Sequence, residues 1–285
     1  MRVGNRNRIR DVVCSDCGVA YANPQLETQE IESLYTGFYR EEDELSDSHF
    51  ANKERQAHDR IGWLLARCPL NSGRMLEIGC SEGTFLRQLR DNHGWTVSGF
   101  EPNSYSARHG LETWQLDIEP GFFRSEHCAG KFDVVTLIHV IEHLPDPTAF
   151  LVEIGRVLND GGYFFFETPN MESPRAGRIS ADLFAAPHLV IFSPQTIERA
   201  LRKAGFELVA LESTHNLRGL ARWRGEQLPD NSAKPVQALR TALRYRFWAV
   251  REFQYFATQR LKSSLVQTAI FCLGEQRYRQ FRPRR

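Results

Sequence analysis

Met75, Leu76 and Ile78 form a short apolar run, interrupted only by Glu77. A run of this length is typical of a strand covered on both faces of a sheet. Gly79 and Gly83 follow it and bracket a tight turn, and Thr-Phe-Leu then begins a helical pattern. Since ligands bind where a parallel strand ends and the next helix begins, we expect a binding site at this turn.

Further apolar runs recur downstream and alternate with segments of helical periodicity. Strands are predicted at 95–100, 132–138, 163–167 and 206–211, and helices at 50–67 and 149–158. Ser193 followed by Pro194 marks another helix start. The alternation predicts an α/β fold with a parallel sheet.

The carboxyl-terminal third has a different pattern. Apolar residues recur at helical spacing over 236–253 within a basic segment, and 264–273 reads as a strand. We therefore predict four regions: a terminal segment 1–48, a core 49–215, a basic helical insert 216–263 and a last sheet strand with a basic tail, 264–285. The apolar stripe of the insert packs on the core or on a second subunit, or else residues 236–262 lie on an anionic membrane surface.

Composition narrows the function classes. The length of 285 residues predicts one domain of ordinary size with additional segments, and the net charge of +1 argues against a nucleic-acid partner. It has neither a signal-peptide pattern nor a run of about 20 apolar residues, so a cytoplasmic location is expected. Six scattered cysteines do not indicate a disulfide framework. Cys14 and Cys17 have the spacing of half a zinc knuckle, but no second pair lies near. The pair therefore either belongs to a degenerate zinc ribbon or binds zinc weakly as a half-site.

Three interpretations of the 79–83 turn compete. The dinucleotide pattern G-x-G-x-x-G is not met, so NAD is disfavoured. The turn does match G-x-S-x-G, the pattern of the hydrolase elbow. Residues 25–70 look helical or irregular, however, so we predict that this strand is the first of its sheet. On this interpretation Ser81 is a turn residue. The third interpretation is a nucleoside site, because Glu101 ends the next strand, where a carboxylate accepts hydrogen bonds from both ribose hydroxyls.

Residues 50–215 resemble the class I S-adenosylmethionine-dependent methyltransferases. The family pattern acid-x-Gly-x-Gly-x-Gly falls on Glu77, Gly79, Ser81 and Gly83, with Ser81 in place of the middle glycine. The resemblance implies a Rossmann-like, seven-stranded, mostly parallel sheet with helices on both faces and an antiparallel edge strand. It also implies the following residues for binding S-adenosylmethionine: Glu77, Gly79, Cys80, Ser81, Gly83, Glu101, Pro102, Asp117, Ile118 and His139.

The second informative stretch follows strand 132–138 and contains His139, Glu142 and His143. The sequence of this stretch resembles that of methyltransferases of the ubiquinone-biosynthesis type and of relatives acting on sugars and lipids. His143 is the predicted general base, because an imidazole has a pKa near neutrality, and Glu142 orients it. Alternatively, His143 only packs within the turn that follows. His139 stands where the family pattern has its first glutamate, and no metal is predicted.

Two further residues, Asn170 and His188, are candidates for the acceptor side of the pocket. The predicted reaction is O-methylation of a small, sugar or lipid-linked acceptor, by a monomer or a homodimer. C- or N-methylation, or noncatalytic binding of the cofactor, would use the same cofactor residues. The acidic segment 27–47, which contains Tyr35, is either a cover over the cofactor or a solvated helical face.

Overall fold

The computed structural model describes residues 10–25, 28–37, 47–173 and 188–225. Seven strands form one large sheet, and three form a small one. The large sheet contains β3 (Arg74–Ile78), β4 (Thr96–Glu101), β5 (Asp117–Pro120), β6 (Phe132–Ile138), β7 (Leu158–Pro169), β9 (Phe206–Ser213) and β10 (Asn216–Trp223). The small sheet contains β1 (Arg10–Val13), β2 (Ala20–Asn23) and β8 (Val190–Ile191).

Six α-helices in the described part of the chain surround these sheets. They are α1 (Thr28–Gly37), α2 (Asp47–Leu65), α3 (Thr84–His93), α4 (Ser104–Thr113), α5 (Pro147–Val157) and α6 (Pro194–Lys203). Ser193 caps α6 through a capping box with Thr196, and Pro194 occupies its first turn, as the sequence predicted. A short 3-10 helix, Ile141–His143, follows β6 and carries two of the predicted site residues.

The strand order of the large sheet is β5-β4-β3-β6-β7-β10-β9. Strands β3 to β7 pair in parallel, whereas β10 pairs antiparallel with both β7 and β9. The predicted fold class is confirmed. The antiparallel strand lies one position inside the edge, because β9 occupies the edge itself.

One predicted boundary is wrong. Residues 216–223 form β10, although the sequence analysis assigned them to the start of the basic insert. Arg218 made this strand look like part of a basic surface, but its guanidinium pairs with the buried Glu167 on the neighbouring strand. The predicted helix at 236–253 and the predicted strand and tail at 264–285 lie outside the described residues.

Apolar side chains alternate between two cores, one on each face of the large sheet. Phe164 and Phe166 of β7 pack into one core, and Phe165 packs into the other; all three are fully buried. Burial on both faces explains why the strands read as continuous apolar runs rather than as alternating ones. No helix among the described ranges combines the length and the apolar character needed to span a bilayer.

The turn after β3 depends on glycine. Gly79 has a φ of 75°, and a Cβ built there would lie 2.6 Å from Cγ2 of Val140. Ser81 also adopts a left-handed conformation, with a φ of 55°, which is uncommon for a residue with a side chain. The backbone therefore turns sharply at the carboxyl end of β3, at the edge of the sheet where β4 and β6 also end.

Candidate functional site

A cavity of about 900 Å³ opens at the carboxyl ends of the parallel strands. Its walls come from the segments that follow β3, β4, β5 and β6, together with α1 and α2. Its polar or charged lining residues include Glu32, Lys53, Ser81, Glu101, Asn103, Arg124, His139, Glu142, His143, His188, His215 and Asn216. Pockets that bind small molecules commonly enclose about 300–1,000 Å³, so this one lies near the upper end of that range.

Glu101 stands at the centre of one wall and is 8% exposed. Its Oε2 accepts a hydrogen bond from the Ser81 amide at 2.7 Å, and its Oε1 accepts one from the Asn103 amide at 2.7 Å. Both carboxylate oxygens of Glu101 therefore accept a main-chain hydrogen bond. Glu101 thus fixes the glycine turn and also presents a carboxylate to the cavity.

Glu77 lies beneath the turn and is almost completely buried. Burial raises the pKa of Glu77 to about 8, despite the nearby positive charges of Lys53 and Arg60. Its Oε2 is buried and makes no hydrogen bond within the described part of the protein. A buried carboxyl oxygen without a donor is costly. Glu77 itself is not among the residues that line the cavity.

His139 is held between two buried carboxylates. Its Nδ1 lies 3.2 Å from Oε1 of Glu142, and its Nε2 lies 3.2 Å from Oε1 of Glu167. Burial alone would lower the pKa of His139, but the hydrogen bonds to Glu142 and Glu167 outweigh it and raise the pKa to about 9. His139 is therefore an imidazolium at neutral pH, although 39% of its side chain remains exposed.

Glu167 was missed by the sequence analysis. It accepts hydrogen bonds from Arg60 of α2 and from Arg218 of β10, each at 2.7 Å, and Arg218 also pairs with Asp59. Burial would raise the pKa of Glu167, yet its bonds to His139 and Arg60 lower it well below its usual range. The ion pairs join three elements that are distant in sequence, so no local pattern could reveal them.

A further cluster of polar side chains in the cavity contains Glu142, His143 and His188. The Glu142 side chain is completely buried, and its Oε2 accepts a hydrogen bond from Thr168 Oγ1 at 3.0 Å. Its Oε1 lies 4.0 Å from Nε2 of His143, whose ring centroid is 4.8 Å from that of His188. Burial would raise the pKa of Glu142, but its hydrogen bond to His139 helps to lower it.

These three side chains have two chemical uses. One ligand atom from each of Glu142, His143 and His188 lies within 4.8 Å of the other two, so the set has the composition of a metal site. Without a metal, a histidine beside a buried carboxylate has the composition of a general base and its partner. A bound metal would occupy the lone pair that a base needs, so His143 cannot serve both uses at once.

Residues 50–211, which are more than half of the chain, match a family model described as a methyltransferase domain. The chain belongs to this methyltransferase family. The resemblance to class I S-adenosylmethionine-dependent methyltransferases is thereby confirmed, and S-adenosylmethionine is the cofactor of the class.

Curated relatives include ubiquinone biosynthesis O-methyltransferases. That of Paracidovorax citrulli is 32% identical over 122 residues, which cover 39% of this chain and 50% of that protein. That of Pseudomonas entomophila is 30% identical over 158 residues, covering 53% and 65%, respectively. The chain thus spans between half and two thirds of the length of these relatives.

Among solved structures, a complex between the Haloferax volcanii Trm112 methyltransferase activator and a methyltransferase contains a similar chain. The TM-score is 0.50 at 18% sequence identity, and the match covers 65% of this methyltransferase and 98% of that chain. At this identity the likeness concerns the fold alone.

The structure brings together half of the predicted cofactor residues. Gly79, Ser81, Glu101, Pro102 and His139 all line the cavity of this methyltransferase. The predicted general base, His143, and one of the two acceptor-side candidates, His188, line it as well.

Asp117 and Ile118 do not line the cavity. Asp117 opens β5 and pairs in register with Ser98, three residues before β4 ends at Glu101, so it lies below the rim of the sheet. Its carboxylate accepts a hydrogen bond from Ser98 Oγ at 2.7 Å, and Ile118 is buried in the core. The cavity wall is formed instead by residues 121–124, including Phe122 and Phe123, which follow β5.

Three other predicted contacts are structural. Cys80 is buried against Gly99. Gly83 is the residue directly before α3, and it packs against Leu116. The Asn170 side chain is also buried, and its amide donates to the Thr214 carbonyl at 2.9 Å, which ties the end of β7 to the β9–β10 turn. None of the three lines the cavity.

The Ser81 hydroxyl is engaged with the neighbouring carboxylate. It donates to Oε2 of Glu82 at 2.5 Å. The family match and this contact both favour the interpretation of Ser81 as a turn residue.

Proposed function

We propose that this protein transfers the methyl group of S-adenosylmethionine to a hydroxyl group of a small acceptor, with His143 as general base. The observation that supports this function best is the position of His143. It lines the same cavity as Gly79 and Glu101, and a completely buried carboxylate lies behind it.

The cofactor side of the cavity fits the chemistry of S-adenosylmethionine. Glu101 offers carboxylate oxygens for the ribose hydroxyls. We assign the ammonium group of the methionine part to the buried Oε2 of Glu77, which lies beneath the turn and is not among the residues that line the cavity. Phe122 and Phe123 offer aromatic side chains for the adenine. When bound, the cofactor supplies an electrophilic methyl group on a sulfonium, and the thioether that remains after transfer is a good leaving group.

The remaining task of the protein is to remove a proton from the acceptor. His139 is unsuited to this task, because an imidazolium with a pKa of about 9 holds its proton at neutral pH. His143 lies 4.0 Å from Glu142, whose negative charge would stabilise the imidazolium that forms when His143 accepts the proton. A positioned general base contributes typically about 10²–10⁴-fold to the rate.

The acceptor side of the cavity is mixed in character. Ile31 and Tyr35 of α1 form one wall, and the Tyr35 ring packs edge-on against His143 with a centroid distance of 5.7 Å. Leu144 and Pro145 add apolar surface. An acceptor with a planar or apolar body and one or more hydroxyls fits these walls, and the names of the curated relatives also favour O-methylation.

Other acceptor chemistries use the same cofactor side. C- or N-methylation of a sugar nucleotide or another metabolite remains an alternative, as does binding of the cofactor without catalysis. Three further proposals are a lipid-linked acceptor, contact with a membrane through 236–262, and dimerisation. The segment 236–262 lies outside the described residues.

The test is methyl transfer from labelled S-adenosylmethionine to a panel of phenols, sugars, amines and lipid-linked hydroxyl compounds. We expect label in a hydroxyl-bearing acceptor, and loss of that transfer in the His143→Gln variant with unchanged cofactor affinity. Transfer only to amines, or equal transfer by the variant, would contradict the proposed function.

A further inference from the structure

His215 lies at the tip of the β9–β10 hairpin and lines the cavity. The turn between these two strands consists of Thr214 and His215 alone. Because β10 runs antiparallel to β7, the turn reaches the edge of the sheet at which β7 ends, and Asn216 pairs with Pro169 there. His215 is exposed at this rim and has no role in the proposed removal of the acceptor proton.

The end of β7 fixes the backbone of this turn. The side-chain amide of the buried Asn170 donates to the Thr214 carbonyl at 2.9 Å and to Ser213 Oγ at 3.1 Å. The main-chain amide of Asn170 donates to the His215 carbonyl at 3.3 Å. Asn170 therefore sets the position from which the His215 side chain leaves the backbone.

The imidazole ring and the residue after it are held as well. Nδ1 of His215 lies 3.3 Å from Ser173 Oγ, at hydrogen-bonding distance. The Asn216 side chain donates to Oε1 of the buried Glu167 at 3.2 Å, which ties the start of β10 to the ion pairs of that carboxylate. Within the described ranges no hydrogen bond involves Nε2 of His215. A ring that is oriented through one nitrogen, and keeps its second nitrogen available at a cavity, is arranged to bind a ligand.

We propose that Nε2 of His215 binds a second hydroxyl group of the acceptor, one that is not methylated. The hydroxyl belongs to the acceptor of the proposed methyl transfer, so its assignment rests on that proposed function. An imidazole nitrogen donates or accepts a hydrogen bond according to the tautomer, and a hydroxyl group matches either one. Asn170 and Ser173 act through His215 and are positioning residues.

The strand order indicates where this second hydroxyl lies on the acceptor. His143 is in the 3-10 helix after β6, His215 directly precedes β10, and β7 lies between the two strands. Since neighbouring strands are about 4.8 Å apart, the backbones of β6 and β10 are separated by about 10 Å. The second hydroxyl is therefore across the body of the acceptor from the methylated one, and not on the adjacent carbon. A ring with oxygen-bearing groups on opposite sides has this arrangement.

The experiment is calorimetric titration of the protein, saturated with S-adenosylhomocysteine, with two matched phenols. 4-(Hydroxymethyl)phenol carries a second hydroxyl opposite its phenol group, and 4-ethylphenol has a methyl group in place of that hydroxyl. The ratio of the two affinities should shift toward 4-ethylphenol by about 3–10-fold in His215→Ala, because one hydrogen bond to the hydroxyl is lost. Thr214→Ala is the matched control and should keep the wild-type ratio, because Thr214 is exposed and is not among the residues that line the cavity.

Ser173→Ala tests the positioning role, since it leaves the imidazole in place but removes the contact to Nδ1. We expect this variant to shift the affinity ratio in the same direction as His215→Ala and by a smaller factor. Unchanged affinity of each variant for S-adenosylhomocysteine would show that it is folded. An unchanged ratio in Ser173→Ala would overturn the positioning role of Ser173.

Binding is measured here without methyl transfer, which separates the role of His215 from the proposed function. An affinity ratio that is the same in the wild type and in His215→Ala would overturn the role of His215, even if label reaches a hydroxyl-bearing acceptor. Failure of the wild type to bind 4-(hydroxymethyl)phenol would overturn it too. A shifted ratio without transfer of label to any hydroxyl would instead support the hydroxyl contact and contradict the proposed O-methylation.

Discussion

Replacing Glu77 with glutamine tests the link between the buried carboxyl group and cofactor binding. Burial raises the pKa of Glu77 from its ordinary value of 4.5 to about 8. At pH 7 a group with this pKa is about 90% protonated, so Glu77 is mostly neutral in the free protein. If the ammonium group of the cofactor binds at Oε2, Glu77 ionises on binding and releases about 0.9 proton per cofactor at pH 7.

The assay is calorimetric titration with S-adenosylmethionine at pH 7 in two buffers of different ionisation enthalpy. The difference between the observed enthalpies gives the number of protons released. The Glu77→Gln variant preserves the size and burial of the side chain but has no proton to release, so it corrects for protons from the cofactor itself. Equal proton release by the two proteins would refute the proposed contact.

The same substitution has a second consequence, for stability without cofactor. The folded-state pKa of Glu77 is above the unfolded-state value, so its contribution to stability is fully present below pH 4.5 and is lost as the pH rises through 8. The loss amounts to about 1.4 kcal/mol per pH unit within this window. Chemical denaturation at pH 5, 6 and 7 should show this slope in the wild type relative to Glu77→Gln, and parallel pH profiles would contradict it.

Three further predictions concern other residues. Glu101→Ala should weaken S-adenosylmethionine binding by about 10–100-fold, because it removes charge-assisted hydrogen bonds and also releases the Ser81 amide; unchanged affinity by calorimetry would contradict this. Glu167→Gln should lower the pKa of His139 from about 9, which NMR titration of the ring measures; an unchanged pKa would show that Glu142 alone suffices. Removing divalent ions with a chelator should leave turnover unchanged if His143 acts as a base, whereas loss of turnover that Mg²⁺ or Mn²⁺ restores would make it a metal ligand instead.

The glycine turn and the strands could be predicted because their signals are local. The run ending at Gly79 and the acid at Glu101 are separated by one strand-helix-strand unit, and this spacing alone places both at the same edge of the sheet. His143 ends the short 3-10 helix that follows β6, and it is one of the residues that line the cavity.

The remaining site residues depend on register and on distant contacts. The resemblance implies Asp117 as a cofactor residue, but β5 begins at this residue and reaches the rim of the sheet only at Pro120. Arg218 and Glu167 are 51 positions apart and meet only because β10 inserts beside β7. A charged residue that is buried through such a pair looks like a surface residue in the sequence, which is why β10 was missed.

The measurement that tests the central claim most directly is titration of the purified protein with S-adenosylmethionine and S-adenosylhomocysteine, with NAD as control. The structure predicts micromolar binding of both sulfur compounds, weaker binding of both by Glu101→Ala, and no binding of NAD. Absence of binding by both sulfur compounds, or binding of NAD in their place, would contradict the assignment of the cavity as a methyl-donor site.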